Sequence, residues 1–374
     1  MKKVLINGAG GFIGGILVRK FLSAGYKVRA SDMDHVDLQW AKDMGAEIAY
    51  CSLEDSEAID RSVAGVDVIV HTAAIFNLAI PEETIMRVNV NGTRNYCESA
   101  LRHNVQRIIL FSTSGIYGIP DKPFIDETAK IQPRNAYEKS KWECEKLAVE
   151  LFRSSQLPVS IVRPTLVYGP GSKYGQAMYV ALGSACRIWG LENLILPSEG
   201  RVSHSVHVDD VCSAVQVLVE SGDKVNGQAY NIADLDPVSS DDFIEILCQQ
   251  LGINIRYKSP MLSKITIPLT RRGQGVIKYL LDRVNFNLTE TWNLAVEKQG
   301  ISSALAPVFD IGWLDYLWAD HSYSTSKLAA LGWEPKYPSI REGIVETIQW
   351  YRKERWIPGR EELVEMAVAR KLEA

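Results

Sequence analysis

Long apolar runs, close cysteine pairs and basic blocks are all missing from this chain, and each absence removes a class of protein. No uninterrupted apolar segment approaches the roughly 20 residues that a membrane-spanning helix needs, so no transmembrane segment is expected. The first apolar run, Val4 to Ile6, is also far too short for the hydrophobic region of a signal peptide. The six cysteines (Cys51, Cys97, Cys144, Cys186, Cys212, Cys248) contain no CxxC pair, which argues against a zinc site or a disulfide framework and fits a reducing cytoplasm. No His/Cys cluster has metal-ligand spacing. His204 and His207 lie near Asp209 and Asp210, but such a strand-loop pair more often orders a turn, so no metal is expected. Lysine and arginine total 41 against 45 acidic residues, without a strongly basic stretch, and nucleic acid is therefore not an expected partner. Repeats and low-complexity segments are absent as well.

What the chain does have is alternation. Its 374 residues can bury a sizeable core, enough for one large α/β domain and a smaller appended one. Apolar strands at Val4–Ile6, Val28–Ala30, Glu47–Tyr50, Val66–His71, Arg107–Ser112 and Val159–Arg163 are separated by helical patterns. Those helices are expected at Phe12–Leu22, His35–Met44, Leu53–Val63, Val88–His103 and Ala136–Ser154. Continuous apolar strands alternating with amphipathic helices predict a doubly wound parallel sheet of the Rossmann type, covered on both faces. In such a sheet the ligand sits at the carboxyl ends of the strands.

The first of those ends carries Gly8, Gly10, Gly11, Gly14 and Gly15, followed by a helix, a second strand and Asp32. Glycines let the backbone turn tightly and approach a pyrophosphate, the helix N-terminus offers N–H groups, and an acid accepts hydrogen bonds from a ribose diol. The spacing is GxxGxxG (Gly8, Gly11, Gly14), so the glycines alone are weak evidence, and the strand–turn–helix–strand–acid context carries the reading. Asp32 would repel the 2′-phosphate of NADP, which favours NAD. Arg29, on the strand before it, is read as a solvated charge.

Later strand ends extend the site. Thr72, Ala73 and Ala74 are small enough to let a cofactor lie against the backbone, and Ser112, Thr113 and Ser114 supply three hydroxyls. A lone strand-end hydroxyl is usually a cap or turn former. Tyr137 and Lys141, four apart on a helix, project from one face. A phenol with an ordinary pKa near ~10 needs a nearby cation to trade protons with an alcohol at neutral pH. Lys141 is the candidate cation and Thr113 the hydroxyl that holds the substrate oxygen. By itself the Tyr-x-x-x-Lys pair is also compatible with a solvated helix face.

GAGGFIG, Asp32, HTAA, NVNGT (Asn89–Thr93), STSGIYG, YEKSK, RPTLVYGPG and HVDDV occur in the order found in the extended short-chain dehydrogenase/reductase family, which the chain resembles over about residues 1 to 235 and again over Tyr323–Tyr351. The nearest branches in motif are the 3β-hydroxysteroid dehydrogenases and dihydroflavonol reductases; sugar-nucleotide epimerases and dehydratases are also members. The resemblance implies Thr113, Tyr137 and Lys141 as catalytic residues, Thr113 standing four before Tyr117, with Ser114 the runner-up. It implies NAD contacts from Gly8, Gly11, Phe12, Ile13, Gly14, Asp32, Ser52, Leu53, Thr72, Ala73, Ala74, Asn89, Ser112, Tyr137, Lys141, Pro164 and Val167. Within that set Asn89 would support the nicotinamide side, and Pro164 and Val167 would lie along the nicotinamide ring. Ser52 replaces an Asp that often binds the adenine amine.

Two further departures concern the substrate. Leu166 stands where sugar-nucleotide members carry an Asn, and Ser203 where they tend to carry an Arg. Losing both polar groups argues against a diphosphate, although Arg201 is close enough to keep that alternative open. A lipophilic secondary alcohol or ketone is the expected substrate, with a sugar-nucleotide epimerase or dehydratase as the rival and a non-catalytic NAD-binding protein as a third reading.

The expected division is an NAD-binding domain over residues 1–165 with 200–235 returning to it, a mostly helical substrate or lid region over 166–199 and 236–351, and a C-terminal helix over 352–374. In the less regular stretch Tyr257–Asp320, the aromatics Tyr279, Phe286, Trp292, Phe309, Trp313, Tyr316 and Trp318 read equally as a small core or a substrate lid. The segment Ile265–Val284, with Lys264, Arg271, Arg272 and Lys278, also reads as a patch touching a membrane or a partner. The helices at Val88–His103 and Ala136–Ser154 form a dimer interface in many relatives, so a homodimer is expected; Tyr96, Trp142 and Leu151 belong either to that interface or to the chain's own core.

Overall fold

A computed structural model describes residues 2–197, 201–259, 261, 274–308 and 320–373. The strands in chain order are β1 (Lys3–Asn7), β2 (Lys27–Asp32), β3 (Glu47–Tyr50), β4 (Val68–His71), β5 (Arg107–Phe111), β6 (Val159–Pro164), β7 (Leu166–Tyr168), β8 (Asn193–Pro197), β9 (Val202–Ser203), β10 (Ser205–His207), β11 (Gln228–Ile232), β12 (Val238–Ser239) and β13 (Asn254–Ser259). The helices are α1 (Phe12–Ser23), α2 (Gln39–Asp43), α3 (Ser56–Val63), α4 (Glu82–Arg102), α5 (Ala136–Ser155), α6 (Gln176–Ile188), α7 (Val208–Glu220), α8 (Ser240–Leu251), α9 (Gln274–Gln299), α10 (Ser326–Ala329), α11 (Ile340–Lys353) and α12 (Arg360–Glu373).

Seven strands make the central sheet in the order β11-β6-β5-β4-β1-β2-β3, every pairing parallel. The chain reverses its direction of growth between β1 and β4, and the crevice at that switch point is where an open α/β sheet binds its ligand. Strand periodicity explains the layers. Val4 and Ile6 of β1 join Val68 and Val70 of β4 in a core shared with α1 and α7. Leu5, Ile69, Ile108 and Leu110 point the other way, into a core shared with α3, α4 and α5. A separate core gathers α6, α8, α9, α11 and α12 around Val180, Leu247, Trp292, Ile344 and Leu363. Among the described residues no helix is long and apolar enough to cross a membrane.

Several boundaries move from their sequence expectation for local reasons. Helix α4 starts six residues before Val88, because Pro81 sets the entry and Glu82 and Glu83 suit the positive helix end, while that polar first turn carries no apolar period. Helix α3 starts at Ser56 because Asp55 caps it, its carboxylate accepting from Ala58 N at 2.9 Å. Helix α2 is only five residues long; Asp37 Oδ1 accepts from Gln39 N and fixes a late start.

Trp292 is buried in the third core and donates Nε1–H to Leu305 O at 2.9 Å, which matches the small-core reading for that residue, whereas Phe286 is exposed. Residues 262–273 and 309–319, which carry Lys264, Arg271, Arg272, Phe309, Trp313, Tyr316 and Trp318, lie outside the described residues, as do the side chains of Lys278 and Tyr279. Tyr96 belongs to the chain's own core and to no outer face: it is fully buried, accepts from Asn7 Nδ2 at 2.8 Å and lies 3.2 Å from Cys51 Sγ.

Candidate active site

The glycine turn follows β1 directly. Gly8 has φ +82°, and a Cβ there would lie 2.5 Å from Thr72 Oγ1 and 2.9 Å from Ala73 N, so only glycine lets the turn touch the end of β4. A Cβ on Gly14 would stand 2.0 Å from Gly8 O, so this glycine sets how closely α1 packs on the turn. Gly11 is the N-cap of α1 and makes no side-chain cap, leaving the start of the helix, Phe12 and Ile13, as an anion-facing N-terminus. Asp32 reaches back across the turn: Oδ2 accepts from Gly10 N at 2.9 Å and Oδ1 from Met33 N at 2.8 Å. Each carboxylate oxygen keeps a further lone pair for a diol.

The adenine side is thinner. Ser52 is exposed and its Oγ accepts from Glu54 N at 3.3 Å; Leu53 packs on Gly92 of α4. Arg29 is not the solvated charge expected, because its guanidinium donates to Glu47 and to the carbonyls of Ser62 and Ala64.

At the other end, Thr72 Oγ1 donates to Asn7 O at 2.7 Å. Ala73 and Ala74 then lead to Ile75, whose N and O are both bonded by the Asn89 side chain, at 2.8 and 2.9 Å. Asn89 Nδ2 also donates to Ser140 Oγ at 2.9 Å, and that hydroxyl donates to Tyr137 O at 2.8 Å. One carboxamide thus ties the loop after β4 to the first turn of α5, where Tyr137 sits half-buried. Ser140 escaped the sequence reading because a serine inside a helix carries no distinguishing signal.

Lys141 is 3% exposed; its Nζ donates to Phe111 O at 2.8 Å and lies 5.8 Å from the centre of the Tyr137 ring. Burial pushes the Tyr137 phenol above its ordinary 10.0, with the Cys144 and Glu138 charges adding to it. Burial likewise lowers the Lys141 ammonium. The loss of water around the ring therefore outweighs the pull of the Lys141 cation, whose Nζ is engaged with a carbonyl. His71 is pushed down to about 3, by burial first and by the Lys141 charge second. It is therefore a neutral ring, with Nδ1 2.8 Å from Asn7 Oδ1 and Nε2 3.2 Å from Thr93 Oγ1.

Thr113 opens a single turn of 3-10 helix, and its Oγ1 accepts from Gly115 N at 3.1 Å, so it is a cap that still has its hydroxyl hydrogen to give. The turn is braced from behind. Tyr117 OH donates to Asn231 Oδ1 and accepts from Arg163, which holds Glu145 through two bonds of 3.0 and 2.6 Å. Ser114 is buried beside Tyr323. Ser112 Oγ and Thr165 Oγ1 are buried without a hydrogen-bond partner, flanking buried Pro164 and half-buried Val167. Leu166 is 37% exposed at this edge, Ser203 pairs with Val238, and Arg201 forms an ion pair with Asp320 at 3.4 Å. His207 caps α7 through Asp209 N and His204 accepts from Tyr323 N, both structural duties.

A glycine cradle that no Cβ would fit, an open helix N-terminus, a carboxylate at the second strand and a Tyr/Lys pair at the far end suit a dinucleotide. They define an NAD-dependent enzyme on a Rossmann sheet. The chain belongs to the NAD dependent epimerase/dehydratase family, whose model matches residues 4–233, and its enzymes are of the extended short-chain dehydrogenase/reductase type. It is similar to a 3-beta-hydroxysteroid dehydrogenase of Mycolicibacterium neoaurum, 28% identical over 281 residues, covering 70% of this chain and 74% of that protein. It is also similar to a dTDP-glucose 4,6-dehydratase of Streptomyces niveus, 24% identical over 375 residues, covering 95% of each. In fold it matches the Thermus thermophilus UDP-glucose 4-epimerase in complex with NAD (TM-score 0.66, 22% identity, 94% of this chain and 99% of that one).

Proposed function

We propose that this enzyme moves hydride between NAD and the secondary alcohol or ketone of a lipophilic, steroid- or polycyclic-like substrate. The observation that carries the reading is the exposed Leu166 at the strand edge, where sugar-nucleotide members present a polar group, together with Arg201 already paired to Asp320. Charged phosphates would meet an apolar side chain at Leu166, and Arg201 is already engaged by Asp320.

In this reading Tyr137 exchanges the alcohol proton, Lys141 holds its charge beneath the ring and bonds the nicotinamide ribose, and Thr113 donates its hydroxyl hydrogen to the substrate oxygen. Bound NAD supplies the hydride acceptor. The glycine turn with Phe12, Ile13 and Asp32 holds the cofactor's adenosine and pyrophosphate, Ser52 and Leu53 flank the adenine, and Thr72, Ala73, Ala74, Asn89, Ser112, Pro164 and Val167 line its nicotinamide end. Residues 1–165 with 200–235 form the cofactor domain, 166–199 and 236–351 the substrate region, and 352–374 a closing helix. Six free thiols suit a reducing cytoplasm. A homodimer through α4 and α5 belongs to the same reading; sedimentation as monomer only, at micromolar concentration, removes it.

A sugar-nucleotide epimerase or dehydratase is the second reading, favoured by the 95% coverage of the dTDP-glucose dehydratase relative. Incubation with NAD and panels of hydroxysteroids, cyclic alcohols and UDP- or dTDP-sugars separates the two. Stoichiometric NADH from an apolar alcohol is the expected result; altered sugar without net NADH overturns it.

A further inference from the structure

Phe76 and Tyr174 meet edge to face, ring centres 4.8 Å apart and planes at 80°, yet they are 48% and 59% exposed. Burial in a core therefore does not account for either ring. They come from two different loops, Phe76 from the loop after β4 and Tyr174 from the loop between β7 and α6.

Both rings are held from behind. Ile75, immediately before Phe76, is bonded at N and O by Asn89, and through Ser140 the same carboxamide reaches the backbone of Tyr137. Phe76 therefore stands one residue from a point fixed to the Tyr137 helix. In the other loop Tyr351 OH donates to Ser172 O at 2.8 Å and Ser172 Oγ donates to Tyr174 O at 3.1 Å. The same loop passes over the start of α1, where a Cβ on Gly171 would lie 3.9 Å from the Phe12 ring. The two rings accordingly link a loop fixed to the Tyr137 helix with one that passes over the start of α1. Leu78, also exposed, extends the apolar surface on the Phe76 loop.

We propose that Phe76 and Tyr174 are specificity-determining residues, an aromatic clasp that takes the apolar body of the substrate while Thr113 and Tyr137 hold its oxygen. This rests on the apolar-alcohol reading of the same site. Two anchored rings with half of their surface in water offer apolar area that a fused-ring substrate covers and a small alcohol does not.

The test uses the full chain loaded with NAD, as wild type, Phe76→Ala, Tyr174→Ala and the double variant, on a 3-hydroxysteroid and on cyclohexanol. Steroid Kd replaces kcat/KM wherever wild type binds without turning over. The steroid-to-cyclohexanol ratio of kcat/KM is expected to fall about ten-fold in the double variant, mostly through the steroid KM, with Phe76→Leu restoring most of it. A wild type that handles the steroid, beside variants with an unchanged ratio, overturns the clasp and leaves the apolar-alcohol reading standing. A wild type that neither oxidises nor binds the steroid overturns both. Loss of NAD affinity in the variants without a change in the ratio makes the rings a cofactor cover and also overturns the clasp.

Discussion

The Asn89 carboxamide holds Ile75 by both backbone groups, accepting from its N–H at 2.8 Å and donating to its carbonyl at 2.9 Å. Asn89→Asp keeps the shape and the acceptor but removes the donor to Ile75 O and Ser140 Oγ, placing a carboxylate against a carbonyl. The variant should lose about 1–3 kcal/mol of stability, read as a lower urea midpoint with unchanged slope. It should also lose turnover, because Tyr137 and the loop after β4 share this one anchor.

Tyr137→Phe should lower turnover about 10²–10⁴-fold while NAD binding, measured by fluorescence titration, stays close to wild type. Near-normal kcat in the variant removes Tyr137 from the proton-transfer role.

The pH profile tests the Tyr137–Lys141 pair more finely. Burial holds the phenol high and the ammonium low, so the base needed for alcohol oxidation forms as pH rises, and kcat/KM should climb on the alkaline side. Lys141→Met removes the cation that favours phenolate. The rising limb should therefore move to higher pH; a limb that stays in place, or moves down, shows that Lys141 does not act on the phenol.

Cofactor choice turns on Asp32, whose two oxygens already bond Gly10 N and Met33 N and keep their orientation toward the turn. Asp32→Ser should weaken NAD binding about 10–100-fold, the worth of one or two charge-assisted bonds to a ribose diol. NADP should lose far less, so the preference narrows. Equal losses for both cofactors mean the carboxylate does not face the ribose.

The layout of the first half is legible because each strand buries both faces and reads as a short apolar run, as in Val68–Val70, and because Gly8 and Gly14 occupy places where a Cβ has no room. Tyr137 and Lys141 are legible because their spacing, four residues on one helical face, stands beside the glycine turn and the strand-end hydroxyls. Electrostatics was less readable. Whether Lys141 lowers the Tyr137 pKa depends on burial and on the Phe111 carbonyl, a contact across 30 residues of sequence. Tyr96 stays open between an interface and the chain's own core in the sequence for the same reason, since its contacts with Asn7 and Cys51 come from parts of the chain far away. The Phe76–Tyr174 pair was invisible, because two loops of different length bring the rings together.

Asp234 offers a last test, of stability and not of catalysis. It is buried just after β11 with Oδ1 lacking a hydrogen-bond partner, and burial, with the nearby Asp210 charge, raises it from 3.8 to about 8. The folded state therefore holds this proton where the unfolded chain has released it. Its contribution is fully present below pH 3.8 and is lost as pH rises through the window up to about 8. His204 and His207, both lowered to about 4 by burial, act in the opposite sense below pH 6.5, but they are common to wild type and variant. Asp234→Asn should therefore lose less stability than wild type between pH 5 and 8, as followed by urea midpoints across that range. Parallel profiles for the two proteins mean that Asp234 ionises at an ordinary carboxyl pKa.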